Sequence, residues 1–251
     1  MTSGESGELI WTRPEPGSRR PRFTRDQIAA TALAIADTEG FSAVSMRRIA
    51  AELGAGTMTL YYYVRTKDEL VALMDDAIMA EVLIPPEELP AHWYDALTAV
   101  ATRTWEVLMR HPWALHALQN APRGPNSMRH FEQSLAAVAG TGLDASEKLR
   151  LITLVDDYVR GNVLRCGELR AGREGGSAEA AEEFQRYAAA QLATGEFPHT
   201  AALFGDLAGE DPEAAYSSLM GGMSDRDVFR SGLALLLRGA ADRLGLSLPG
   251  R

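Results

Sequence analysis

Only three residues, Gly54-Ala55-Gly56, separate two short helical patterns, "MRRIAAEL" ending at Leu53 and "TMTLYYYV" beginning at Thr57. A break that short gives the chain no room to wander, so the second helix must turn sharply across the first, the helix-turn-helix arrangement. In the first pattern Ile49, Ala50 and Leu53 face inward while Arg47, Arg48 and Glu52 face outward, behind a start at Ser45. In the second, Leu60 and Val64 lie four apart and anchor the helix on the same core.

The flanking helices complete a small module. Thr24 and Gln27 have capping-box spacing, Phe23 and Ile28 are placed as a hydrophobic staple, and Gly40 supplies a stop. Ile28, Ala32, Ile35 and Ala36 form the inward stripe of that first helix. A fourth helix begins at Thr66, where Thr66 and Glu69 repeat the capping-box spacing, and carries Leu70, Leu73, Met74, Ala77, Ile78 and Val82 as its stripe. Proline cannot continue the backbone hydrogen bonding, so "IPPEELP" ends it and marks a domain boundary. The expected organisation is a basic, mobile arm over 1–22, a helix-turn-helix domain over 23–84 that includes a linking helix at 66–84, and a second domain over 85–251.

Further helical patterns occupy about 91–110, 113–120, 126–139, 144–170, 178–194 and 225–245, with connections at 171–178 and 205–224. Sustained period-two alternation is absent, which makes the chain all-α. No apolar run approaches the ~18 to 20 residues of a membrane span, and the first residues lack the apolar core of a signal peptide. A cytoplasmic protein without membrane contact is expected. Cys166, the single cysteine, lies in an apolar helical pattern and reads as a packing residue. A phosphate-binding glycine loop, a GxSxG elbow and a HExxH helix are all missing, and the adjacent acids Asp75-Asp76 and Asp156-Asp157 read as solvent-facing. Neither catalysis nor a cofactor is expected. His111 and His116 are five apart across Pro112 and do not have the spacing of a helical metal pair.

The charge is unevenly placed. Between Arg13 and Lys67 nine basic residues face five acidic ones, whereas the rest of the chain carries sixteen against twenty-nine, for a net −9 overall. An acidic body thus bears a basic head, and the head suits a phosphate backbone. In a helix-turn-helix the second helix enters the major groove, about 12 Å wide, with its N-terminal residues at the base edges. Thr57, Met58, Thr59, Tyr61, Tyr62 and Tyr63 fall there. A tyrosine ring can lie against a thymine methyl or a sugar while its hydroxyl bonds a phosphate. Three neighbours about 100° apart cannot all face inward on so short a helix. Lys67, a cation at a helix start, gains more from a phosphate than from the helix dipole, and Arg47 and Arg48 join the candidate contacts.

The stretch "FTRDQIAATALAIADTEGFSAVSMRRIAAELGAGTMTLYYYVRTKDELVALMDDAI" closely resembles the N-terminal domain of the tetracycline-repressor (TetR) family of transcriptional regulators, almost without gaps over 23–83. The resemblance implies a homodimer that binds a short palindromic operator of double-stranded DNA and releases it when a small molecule enters the C-terminal domain. It also carries Arg47, Thr57, Met58, Thr59, Tyr61, Tyr62, Tyr63 and Lys67 onto DNA-contacting positions of the family. Met58 and Tyr63 depart from the tetracycline-binding members, and Leu83 stands where those members have a histidine, so neither their operator nor a magnesium–tetracycline effector is expected.

"VFRSGLALLLRGAADRLG", 228–245, is similar to the last helix of the family's C-terminal domain. Phe229, Gly232, Leu233, Leu236, Ala240 and Leu244 make an apolar seam with small residues, the pattern of a helix that meets another closely, and the resemblance makes it part of a four-helix dimer interface with the helix at 144–170. Candidates for a largely apolar effector pocket are Trp105, Met109, Trp113, His116, Phe131, Tyr158 and Asn162. A DNA-binding regulator without a small-molecule inducer, either an activator or one that responds to a protein partner, is the alternative, with an enzyme a distant third.

Overall fold

The computed structural model describes residues 9–15, 23–175, 178–207 and 226–250, and among these every regular element is helical. The α-helices are α1 (Arg25–Glu39), α2 (Met46–Glu52), α3 (Thr57–Tyr61), α4 (Lys67–Val82), α5 (Trp93–Arg110), α6 (Ala114–Ala117), α7 (Pro125–Ala137), α8 (Ala145–Gly175), α9 (Ala178–Ala193), α10 (Pro198–Leu207) and α11 (Arg226–Leu244). Two of them differ from expectation. α8 continues through 171–175, where a connection was expected, because extending an existing helix adds one hydrogen bond per residue without a new nucleation step. α10 was not foreseen: Pro198 fits its first turn, where a missing N–H costs nothing, but its pattern is too short to stand out. Arg19, Arg20 and Arg22 of the arm, and residues 208–225 of the second connection, lie outside the described residues.

The chain divides into two units, Met1–Arg160 with Ala240–Arg251, and Gly161–Gly239. In the first, α4 packs against α1, α5 and α7, and α1 also packs on α2, which packs on α3. The helix signals act locally. Thr24 Oγ1 accepts from the Gln27 amide at 3.1 Å and Gln27 Oε1 accepts from the Thr24 amide at 3.0 Å, a full capping box, and Gly40 ends α1 at φ 85°. Phe23, Ile28, Ala32, Ile35 and Ala36 are buried as their spacing requires. Thr66 caps α4 by accepting from the Glu69 amide at 3.1 Å, but Glu69 does not return the bond to Thr66; its carboxylate turns to Arg13 and to the Arg65 amide. Trp93 of α5 donates through Nε1 to the Ser247 carbonyl at 2.8 Å, fastening the C-terminal segment to this unit.

Asp76 is buried rather than solvent-facing. It caps α7 by accepting from the Asn126 amide at 2.7 Å and from Asn126 Nδ2 at 2.8 Å. Burial raises its pKa, and the bonds from Asn126 oppose the rise. Residue 124, just ahead of α7, must be glycine: a Cβ there would stand 2.2 Å from Asp76 Oδ1 and 2.7 Å from Trp11 Cζ2.

The second unit buries Asn162, Val163 and Cys166 of α8 and Phe229, Leu233 and Leu237 of α11. The Cys166 thiol lies 3.5 Å from Asn162 Oδ1 and is wholly buried, a packing position. The expected dimer seam changes accordingly. Phe229 and Leu233 are fully buried within one chain and Ala240 nearly so, whereas Gly232 and Leu236 are half-exposed beside the exposed Val228 and Leu235. Helical periodicity defines an apolar face but not which neighbour covers it, and here the chain itself covers most of the one foreseen.

Candidate nucleic-acid interface

The turn that sets α3 across α2 is built from backbone. Ser45 Oγ caps α2 by accepting from the Arg48 amide at 3.2 Å, and α2 ends where Gly54 takes φ 60° while the Ala55 amide reaches back to the Ala50 carbonyl at 2.8 Å. The left-handed conformation at Gly54 is what reverses the chain within three residues. Leu60 and Val64 have no exposed surface and fix α3 on the core.

That anchoring decides which side chains face outward. Met58 is 74% exposed, Tyr62 73% and Tyr61 42%, and the half-exposed Thr57 and Thr59 sit beside them. Tyr63 is only 6% exposed and belongs to the core, so its side chain does not join the outward row expected of all three tyrosines. With Leu60 pointing inward, a residue three further on lies on the same face of the helix. Arg47 is exposed. The Arg48 guanidinium is instead shared between Glu39 and Glu52, each at 2.7 Å, and these hydrogen bonds hold the Glu39 carboxyl below its usual range and raise the Arg48 pKa. Arg48 therefore links α1 to α2. Lys67 is exposed, with Nζ 5.8 Å from the centre of the Phe41 ring.

Behind α3 lies a buried polar network that the spacing of residues does not reveal. Arg25, 7% exposed, donates to the carbonyls of Ile10 and Arg13, each at 2.8 Å, of Tyr63 at 3.3 Å and of Pro14 at 3.4 Å. Arg13 forms a bidentate pair with Glu69 at 2.8 and 2.9 Å and also donates to the Tyr63 carbonyl at 3.3 Å. Burial lowers the Arg25 pKa and works against ionisation of Glu69, but the bonds to Glu69 from Arg13 and the Arg65 amide prevail and hold that carboxyl below its ordinary range. One sequence signal was available. Arg25 is the first residue of α1, where the helix dipole disfavours a cation, so an arginine there needs acceptors from elsewhere. Leu9–Glu15, expected to belong to a mobile arm, is thereby docked, with one 3-10 turn at Ile10–Thr12 and Ile10 buried.

The expected pocket residues differ in exposure. Trp105 is buried, Met109 and Tyr158 are half-exposed, and His116 and Phe131 are exposed. Trp113 does other work: its Nε1 donates to Asp37 Oδ1 at 2.8 Å, and its ring stacks on Phe41 at 5.6 Å, 16° from parallel. His111 joins it, with Nδ1 2.8 Å from Asp37 Oδ1 and Nε2 3.4 Å from Glu81 Oε1. Asn162 is engaged by Cys166. In the first unit Asp75 and Asp156 are half-buried rather than solvent-facing, and His130 was not singled out from the sequence. Burial disfavours charge on all three, pushing Asp75 up to about 6, His130 down to about 4 and Asp156 upward.

An all-helical chain whose basic end turns Met58, Tyr61 and Tyr62 outward on the second helix of a helix-turn-helix has the geometry of a DNA-binding transcriptional regulator. Family models match on both sides of the proline cluster: "Bacterial regulatory proteins, tetR family" over 28–74 and "Tetracyclin repressor-like, C-terminal domain" over 85–244. The chain belongs to the TetR family. It is 38% identical over 213 residues to the HTH-type transcriptional repressor DrrR1 of Streptomyces coeruleorubidus, covering 81% of this chain and 78% of that one. It is 35% identical over 187 residues to an HTH-type transcriptional regulator of Saccharopolyspora erythraea, covering 74% and 79%. Among solved structures, the TetR family protein ActR of Streptomyces coelicolor in complex with actinorhodin superposes with a TM-score of 0.59 at 26% identity, over 88% of this chain and 96% of that one. None of the described helices is long and apolar enough to cross a membrane.

Proposed function

We propose that this protein is a homodimeric repressor that sets two α3 helices into successive major grooves of a palindromic operator and leaves the DNA when a small molecule binds its C-terminal domain. The observation that carries the reading is the outward row of Met58, Tyr61 and Tyr62 on a helix locked from behind by Leu60 and Val64. Thr57, Met58 and Thr59 meet base edges and sugars, Tyr61 and Tyr62 grip the backbone, and Arg47 and Lys67 supply charge to phosphates. The Tyr63 side chain supports the helix from within.

Two reading heads must stand about 34 to 36 Å apart to enter successive grooves on one face of the duplex. Repression ends when an effector favours a different arrangement of the body and carries the heads out of that spacing, which requires tighter binding to that arrangement. The repressor DrrR1 supports repression, and the actinorhodin complex of ActR supports a small-molecule signal. Trp105, Met109, Phe131 and Tyr158 supply apolar surface for it, and the desolvated groups of Asp75, His130 and Asp156 give it hydrogen-bonding partners. Gly232 and Leu236, with Val228 and Leu235, make the α11 share of the dimer contact.

Sedimentation of the full-length protein with and without a DNA duplex selected by the protein from a random pool tests the assembly. A dimer that takes up one duplex and dissociates from it on addition of an effector fits; a monomer on DNA contradicts the paired-head geometry. Actinorhodin is the first compound to try.

A further inference from the structure

Leu9–Glu15 touches the reading head and the body at once. At its head end, Arg25 gathers the carbonyls of Ile10, Arg13 and Pro14 together with that of Tyr63, which lies just past the C-terminal end of α3. Arg13 also donates to the Tyr63 carbonyl while its bidentate pair with Glu69 fixes it to the first turn of α4. The pair is largely shielded from water, with the Arg13 and Glu69 side chains 10% and 15% exposed. Two guanidinium groups thus hold one carbonyl at the end of the reading helix; one belongs to the seven-residue segment and the other binds it.

At its other end, two residues from Arg13, Trp11 lies against the turn that precedes α7. The space a Cβ would need on Gly124 is already filled by Trp11 Cζ2 and Asp76 Oδ1, and Asp76 is the cap of α7. The indole Nε1–H is buried with no acceptor among the described residues, so packing alone seats the ring there. Close-packed groups of this kind do not yield continuously: a shift of the α7 start by a fraction of an ångström must be passed to Trp11 or relieved by unseating it.

We propose that Leu9–Glu15 is a positioning strap for the DNA-reading helix: Trp11 senses where the start of α7 stands, and Arg13 and Arg25 convey that to the C-terminal end of α3. Trp11, Arg13 and Arg25 are positioning residues and need not touch DNA. The strap gives the body a route to the head beside the covalent one through α4, and its effect on affinity rests on the reading that α3 meets DNA.

The test is a double-mutant cycle on the full-length protein, with Trp11→Ala, Gly124→Ala and the combination titrated on a duplex selected by the wild type. Each single change is expected to weaken binding at least about fivefold, and the combination by clearly less than the product of the two losses, because without the indole a Cβ at 124 has only Asp76 left to displace. Affinities unchanged by Trp11→Ala, or losses that multiply in the combination, would overturn the strap. Hydrogen exchange of the Gly124→Ala protein without DNA separates this from a failure of the DNA-binding reading and does not depend on the stability of Trp11→Ala. Faster exchange over 57–65 than in the wild type, with a smaller difference between the combination and Trp11→Ala than between Gly124→Ala and the wild type, supports the strap. Unaltered exchange there contradicts it even if no duplex is bound.

Discussion

Trp113 donates its indole N–H to the Asp37 carboxylate at 2.8 Å, joining the segment after α5 to the outer end of α1. His111 approaches the same oxygen at 2.8 Å, and the Trp113 ring stacks on Phe41. Asp37→Ala removes the acceptor for both side chains and leaves a largely buried imidazole short of a partner. It is expected to lower stability by about 1 to 3 kcal/mol, read as a lower urea midpoint at unchanged slope. Asp37→Asn keeps an acceptor for Trp113 and should recover part of the loss.

Arg25 is the second structural test. Arg25→Met keeps the apolar stem but abandons the carbonyls of Ile10 and Arg13 and leaves that of Tyr63 to Arg13 alone. The expected cost is about 2 to 3 kcal/mol in a denaturant titration. Proteolysis should become faster at 9–15, since this residue holds the segment down. Equal protease resistance would mean that Ile10 and Trp11 suffice.

Adjacent tyrosines should behave in opposite ways. Tyr62→Ala removes a side chain exposed to solvent and is expected to weaken DNA binding by about tenfold or more while leaving the melting temperature within a degree or two. Tyr63→Ala opens a cavity and is expected to cost about 3 kcal/mol of stability, the range for loss of a buried aromatic ring. Melting curves of the two variants measured side by side distinguish them.

Asp75 and His130 predict opposite pH trends. The Asp75 carboxyl is raised from 3.8 to about 6, so its stabilising contribution is complete below the ordinary value and is lost as the pH rises through about 6. His130 is depressed from 6.5 to about 4, so its contribution is present above the ordinary value and is lost as the pH falls through about 4. Relative to wild type, Asp75→Asn should therefore gain in melting temperature between pH 4 and 6, and His130→Asn should lose between pH 4 and 6.5. The two effects oppose each other in the wild type over the shared interval, so the variants are needed to separate them.

What was legible in the sequence followed the range of the interactions. The capping box at Thr24 and Gln27, the left-handed glycine before α3 and the stripe of α4 each depend on residues a few positions apart, so spacing reveals them. The strap does not: Arg13 meets Glu69 across 56 positions, and Arg25 meets Tyr63 across 38. Nothing periodic links such partners. Three tyrosines in a row made it certain that some would face outward, but which ones depended on the seating of Leu60. The apolar seam of α11 was visible as a pattern, but which of its residues the chain itself covers was not, and Phe229 and Leu233 are among those it buries.

The most direct measurement is a fluorescence-anisotropy titration of the full-length protein on DNA flanking its own gene, at two salt concentrations and with competitor DNA, beside Tyr62→Ala. Saturable binding that weakens with salt, survives competitor and is lost in Tyr62→Ala is the predicted result. Binding that Tyr62→Ala leaves intact would contradict the assignment of α3 as the reading helix.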